Sequence, residues 1–312
     1  MSQSMPVQLP NERSAMTIPA TRDSNVTTLP IRGPAATVTT LPRREYRFSA
    51  AAISRRVASV ALPPLLVLAV ILTVWQVVCS QPGSSLPPPS QIWAESHDLI
   101  VDPFFVYGSQ DIGLGLRVIT SLQRVAIGFG LAATLGIIIG ALIGQSRWLM
   151  RGFDPIFQIL RTVPPLAWLP ISLAAFMDSN PSAIFVIFIT AIWPVIINTT
   201  VGVRNIPQDY RNVARVLRLN PFEFFLQIML PAAAPYIFSG LRISIGLSWL
   251  AIVAAEMLTG GVGIGFFIWD AWNSSHLTDI IVALVYIGVV GFVLDRLVAL
   301  VGSLVTRGTS AS

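Results

Sequence analysis

Lysine is missing altogether: all twenty basic residues among the 312 are arginine. A P-loop needs the lysine of G-x-x-x-x-G-K-[ST] to reach nucleotide phosphates, and Schiff-base chemistry needs the amine, so both are excluded. Cys79 is the single cysteine, which leaves no disulfide framework and no zinc cluster. The two histidines, His97 and His276, fall in different expected loops and form no acid–base pair. Charge is scarce as well. Only 11% of residues are charged, against roughly 25% in soluble domains, so an ordinary cytosolic enzyme is ruled out. What is abundant is apolar: 54% of the chain is hydrophobic, gathered in blocks of about twenty, the length a helix needs to cross a bilayer. The chain reads as an all-α polytopic membrane protein.

Residues 1–54 are rich in Ser, Thr, Pro and Asn and show no apolar period, so a disordered cytoplasmic tail is expected there. It has no apolar h-region of the kind a cleaved signal peptide carries. Residues 55–305 form the membrane domain, with about six spans expected at 57–78, 125–143, 156–177, 183–201, 232–258 and 280–304, and residues 306–312 form a short cytoplasmic tail. A Pro- and Ser-rich stretch at 81–91 separates the first two spans, followed at 92–100 by a segment suited to a short interfacial helix.

Arginine placement gives the orientation. Eight arginines precede the first span, in the N-terminal tail and directly after it at Arg55 and Arg56, and Arg147, Arg151, Arg204, Arg211, Arg215, Arg218 and Arg307 fall in segments on the same side. The opposite loops hold Arg117 and Arg124 among several acidic residues. By the positive-inside rule both termini are cytoplasmic. The net charge of +5 is explained by this bias and needs no nucleic acid.

Three patterns inside the spans suggest mechanism. Gly128, Ala132, Gly136, Gly140 and Gly144 recur every four residues, making a groove that lets another backbone approach closely; packing within the chain and a subunit interface both suit it. Pro164, Pro165, Pro170 and Pro194 interrupt the third and fourth spans. Each removes a backbone donor, tolerated in membranes where the freed carbonyls are buried in protein or line a wet cavity. Ionisable residues within spans are functional candidates by default. Arg161, Arg242 and Glu256 qualify, with Arg124, Asp295 and Arg296 nearer the ends. Together with Pro164 and Trp249, these three make up the candidate translocation pathway. Arg242 and Glu256 share a face but lie about 21 Å apart along the helix, too far to pair. Arg242 is expected as a lone charge, held by backbone carbonyls or snorkelling, or else setting a positive potential for a crossing anion.

The segment 202–231, between the fourth and fifth spans, is too ordered for a mere connector. Tyr210, Val213, Ala214 and Leu217 fall on one face at helical spacing and Arg211, Arg215 and Arg218 on the other. Asn220-Pro221 is expected to stop this helix, with a second short one at 222–229. Such an amphipathic helix suits either the lipid surface or a groove on a partner. The glycine-rich run at 260–265 has no preceding strand and is expected as a tight outer turn, not a nucleotide loop.

Asn212-Val213-Ala214, Arg218 and the ending Ile228-Met229-Leu230-Pro231 resemble the E-A-A-x3-G-x9-I-x-L-P loop of bacterial ABC importer permeases, with Asn212 in place of Glu and Arg218 in place of Gly. The runs RVAIGFGLAATLGIIIG from Arg124, LRTVPPLAWLPISLAAF from Leu160 and PYIFSGLRISIGLSWLAIVAAEM from Pro235 resemble the branch that handles nitrate, bicarbonate, cyanate, sulfonates and taurine. NVARVLRLNPFEFF from Asn212 and MLTGGVGIGFFIWDAWNSSHLTDII from Met257 are most similar to nitrate-type permeases.

That resemblance implies a permease domain with no covalent chemistry and no cofactor of its own. ATP and Mg would be used by a separate ABC ATPase subunit, and an extracytoplasmic binding protein would deliver a small anion, nitrate or nitrite first. The permease would work as a homodimer in the bacterial inner membrane. The loop helix would be the coupling helix that docks on the ATPase, through Asp209, Tyr210, Arg211, Asn212, Val213, Ala214, Arg215, Leu217 and Arg218, with Pro231 closing the motif and Ala214 and Leu217 packing inward. A secondary transporter would be expected to show span repeats, and a membrane enzyme clustered His, Asp or Cys; neither pattern is present.

Overall fold

The computed structural model describes residues 50–108 and 111–306. The expected N-terminal tail lies outside the described residues except for its last few positions, which already belong to a helix, and residues 307–312 also lie outside them. Apart from an isolated bridge between Val106 and Ile112, the regular structure among the described residues is helical.

Five helices are long and apolar enough to cross a membrane: α1 (Ala50–Cys79), α4 (Leu114–Gln145), α7 (Ser179–Arg204), α10 (Leu230–Thr259) and α12 (Leu277–Thr306). At 1.5 Å per residue the four later helices exceed the roughly 30 Å of hydrocarbon, and the apolar stretch of α1, Ala61–Cys79, about matches it. Two short helices, α2 (Pro89–Glu95) and α3 (His97–Val101), stand where a single interfacial helix was expected.

The direction of each crossing follows from what its small residues touch. Gly128 abuts Ile187, Gly136 abuts Val195 and Gly144 abuts Val203. A step of eight residues on α4 matches a step of eight on α7, so the two helices are parallel. Parallel neighbours need a return crossing between them. It is supplied by α5 (Arg147–Leu160), a 3-10 turn (Pro165–Trp168) and α6 (Leu169–Phe176), bent by 95° at the break. The third span is therefore corrected: it is not one helix over 156–177 but a broken crossing that starts at Arg147. The cause is local. Pro164 and Pro165 remove two successive donors, and the residue before a proline is driven from helical to extended geometry; Pro164 has φ −56° and ψ 137°.

α10 runs antiparallel to α7: Gly202 meets Ala233 and Tyr236 near one end, and Ser244 Oγ donates to the Ala191 carbonyl (2.7 Å) further along. α12 runs antiparallel to α10, with Trp249 Nε1 donating to the Ile287 carbonyl (2.9 Å) and Gly302 lying against Phe238. Gln76 near the end of α1 bonds Ser90 of α2 (2.9 Å), and Ser96 bonds Asp279 at the start of α12 (2.6 Å). α1 thus ends on the side where α12 begins, and with the broken pair counted as one span the described residues make six crossings.

The whole small-residue stripe of α4 is buried in the α4–α7 seam. A Cβ on Gly140 would meet the Ile196 carbonyl and Thr199, and Thr200 Oγ1 donates to the Gly140 carbonyl itself (3.0 Å). The groove is filled by a helix of the same chain, so this face is not open to a second copy. Arg117, placed by sequence in a loop, lies in the first turn of α4, where it is buried with its guanidinium 5.0 Å from the Phe267 ring centroid.

Candidate functional site

Three places gather the polar groups that the spans otherwise exclude. The first lies where α7 begins and α10 ends. Glu256 is 1% exposed, and a carboxylate there must be fully compensated. Its carboxylate accepts from Arg124 Nη1 (2.6 Å) and from the Gly265 N–H (3.0 Å), and Ser121 Oγ lies 2.8 Å from both oxygens. Arg124 also donates to the Val262 carbonyl (2.8 Å) and to Asn180 Oδ1 (2.8 Å), while Ser121 Oγ accepts the Ile264 N–H (3.1 Å). One carboxylate thereby ties α4, α7, α10 and the start of α11 (Ile264–Asn273). The turn at 260–265 is shaped to sit on it. Gly260 and Gly261 take φ of 75° and 89°, and a Cβ on Gly263 would strike the Glu256 carboxylate.

The second place is a cavity of about 380 Å³ between the α5–α6 break, α7 and α10. Arg161, Trp168, Thr190, Trp193, Asn198 and Leu247 are among its lining residues. Thr190 and Trp193 lie near the midpoint of α7 and Leu247 near that of α10, which puts the cavity at mid-depth. Pro194 has no N–H to give the Thr190 carbonyl, and Asn198 Nδ2 bonds the Pro194 carbonyl (2.8 Å). Arg161 is the only ionisable side chain of the lining. The other pathway candidates are distributed otherwise. Pro164 stands in the break, between the lining residues Val163 and Pro165. Trp249 and Glu256 are buried in helix contacts and do not line this cavity. Arg242 is not the lone charge expected: Asp295 of α12 takes it in a bidentate pair at 2.5 and 2.7 Å, and both side chains are partly exposed. Asp295 escaped pairing with it by sequence because their register across two helices is invisible in a single chain reading.

The third place is the loop between α7 and α10. It holds α8 (Gln208–Val216), a one-turn α9 (Pro221–Phe224) and a π turn (Phe225–Met229) that runs on into α10. Pro231 and Pro235 cannot donate to the carbonyls of Gln227 and Pro231, and the wider π turn forms just before them. α8 is stopped by a complete Schellman motif. The Leu219 N–H reaches the Ala214 carbonyl (3.1 Å), the Arg218 N–H reaches the Arg215 carbonyl (3.2 Å), and Arg218 has φ of 51°. Asn220 does not stop α8 as expected; it starts α9 through a capping box with Glu223. The stretch 222–229 is helical as expected, but it runs on into α10 and does not stand as a separate helix.

α8 buries little of its apolar face. Ala214 is buried, but Leu217 is 63% exposed and Val216 is 82% exposed, so the inward packing expected for Leu217 is corrected. Tyr210 and Val213 are exposed as well, and Asp209 and Asn212 lie at the surface. Arg211, Arg215 and Arg218 instead line a groove with Gln145 and Phe224, and Arg211 Nη2 donates to the Val203 carbonyl (3.3 Å). Of the three only Arg211 is anchored to the body of the chain in this way; Arg215 donates to Asn212 Oδ1 on its own helix (2.6 Å), and Arg215 and Arg218 are themselves exposed, as are the apolar residues Tyr210, Val213, Val216 and Leu217.

Comparison with known proteins fits this architecture. The family model described as the inner membrane component of binding-protein-dependent transport systems matches residues 132–307. The nitrate import permease of Synechocystis sp. is 61% identical over 242 residues, covering 78% of this chain and 88% of the relative. The bicarbonate transport system permease of the same organism is 51% identical over 250 residues, covering 79% and 89%. Among solved structures, the inward-facing MetNI methionine ABC transporter superposes with a TM-score of 0.56 at 17% identity, over 62% of this chain and 96% of that one. The six crossings, the loop on one side and these matches agree: the chain belongs to the family of inner-membrane components of binding-protein-dependent transport systems, as a transport subunit and not an enzyme.

Proposed function

We propose that this permease carries nitrate inward as one of two identical membrane subunits. The observation that carries the reading is the gradation of likeness: the nitrate import permeases are 55–61% identical and the bicarbonate permeases 51–53%. A binding protein would present the anion at the side of the Glu256 turn. ATP and Mg would be used by ABC ATPase subunits on the opposite, cytoplasmic side, where the arginine bias places both termini. There α8 presents Tyr210, Val213, Val216 and Leu217 outward, an apolar patch of the kind that marks a docking surface. ATP-driven closure of the ATPase pair would push on α8 and shift the spans between two packings, and alternating access follows from the different bias that ATP and the loaded binding protein place on them.

Uptake of labelled nitrate in energised cells tests this, with the chain present or absent beside its ATPase and binding protein, and with bicarbonate and taurine as competitors. Nitrate uptake that needs the chain and ATP, suppressed by excess nitrate alone, is the expected result. ATP-dependent uptake suppressed by bicarbonate instead would transfer the assignment to that anion, and uptake persisting without ATP would overturn the coupling.

A further inference from the structure

We propose that the mid-depth cavity at the α5–α6 break is an anion-binding site within the permease, with Arg161 as its charge and Asn198 and Thr190 as polar partners, so that the membrane subunit itself selects for an oxyanion. The proposal rests on the anion-transport reading above and adds a site to it.

The argument starts from cost. An arginine at mid-depth is expensive and is normally paired. The chain follows that rule twice: Arg124 is paired with Glu256 and Arg242 with Asp295. Arg161 differs. It is exposed in the single chain; among the described residues its side chain has neither an ion pair nor a hydrogen bond, and the lining of its cavity holds no carboxylate. The cation therefore faces a space whose remaining surface is neutral. The guanidinium offers parallel N–H donors that match two oxygens of an oxyanion. Asn198 uses one amide N–H on the Pro194 carbonyl and keeps the other free. The cavity is small, with room for a small ion and a few waters at about 30 Å³ each, and too small for a peptide. Its indole walls, Trp168 and Trp193, lower the local dielectric and strengthen the attraction. A plainer role also suits Arg161: it follows the last residue of α5, where a cation offsets the helix dipole. That role needs no cavity and no anion, and the two make different predictions.

The test uses the full complex of permease, ATPase and binding protein in proteoliposomes, with nitrate as the probe. Arg161→Gln is expected to lower nitrate uptake at least tenfold, while assembly and the ATP hydrolysis stimulated by loaded binding protein stay within twofold. Arg161→Lys should keep at least a third of the uptake. In a Cys79→Ser background, Arg161→Cys should regain uptake after a cationic thiol reagent and not after a neutral one of the same size. Uptake by Arg161→Gln within twofold of wild type, or equal rescue by the two reagents, would overturn the site. If Arg161→Gln does not assemble, Arg161→Lys and Asn198→Ala decide: lower uptake at unchanged ATP hydrolysis in Asn198→Ala upholds the site, and unchanged uptake in both removes it. If the wild-type complex moves bicarbonate and not nitrate, the nitrate reading fails alone, and the same variants measured on bicarbonate decide the site.

Discussion

Glu256 and Arg124, 132 residues apart in sequence, meet at 2.6 Å inside the protein, and the same carboxylate receives a backbone N–H from the turn that covers it. Breaking a buried pair by removing one partner leaves an uncompensated charge and costs about 3–5 kcal/mol. Glu256→Ala should therefore cut the yield of folded permease and lower its melting temperature in detergent. Because residues in one network couple, the double variant Glu256→Ala/Arg124→Ala should be less damaging than the sum of the singles. Additive losses in thermal unfolding would show that the two side chains act separately.

Arg242 and Asp295 join α10 to α12 through a bidentate pair. Either Arg242→Ala or Asp295→Ala leaves a charge within a span, and each should lower the amount of complex recovered from membranes. The double variant should recover most of it. If Arg242→Ala lowers nitrate uptake while Asp295→Ala and the double variant do not, the arginine has a role apart from the pair.

Arg218 occupies a left-handed position, φ 51°, at the end of α8. A residue with a Cβ pays about 1–2 kcal/mol there, and glycine does not. Arg218→Gly should raise the melting temperature of the permease slightly, offset in part by the greater freedom of glycine in the unfolded chain, and Arg218→Val should lower it. An unchanged melting temperature in both would mean that the loop unfolds before the transition that is measured.

Leu217 is exposed beside Val216 on the outward side of α8. Leu217→Asp puts a charge into that apolar patch without touching the spans, so the ATPase recovered with the tagged permease should fall several-fold while the permease itself is recovered normally. Full recovery of the complex would remove α8 from the docking surface.

Much of this architecture was legible in the sequence because bilayer thickness imposes a length on apolar runs, and the spans at 57–78, 125–143, 183–201, 232–258 and 280–304 all lie within helices. The third span departs from its expected bounds because a single proline can bend or break a helix, and only the structure shows that the successive Pro164 and Pro165 break it, with the crossing starting at Arg147. Pairings were the least legible. Glu256 was flagged by its burial in an apolar run, but Ser121, Asn180 and Gly265 join it through packing of distant segments, which no single-chain pattern reports. The same holds for Asp295. Asn198 does carry a signal in the sequence, an amide in an apolar span four residues after Pro194. On α8 the inward packing expected of Ala214 holds and that expected of Leu217 does not, since a helical period states which residues share a side and not which of them meets the body.

The parallel seam of α4 and α7 has a mechanical consequence. With a glycine or alanine at every fourth residue, Ile187, Val195 and Val203 are seated like teeth in a rack. Sliding by one residue would drive them into bulkier neighbours, and the next matching position is a full four residues away, about 6 Å along the axis. The two helices therefore cannot creep past each other by small steps. They form a strut, and any opening of the bundle to one side must swing that strut as a single piece, with the bending left to the proline break beside Arg161.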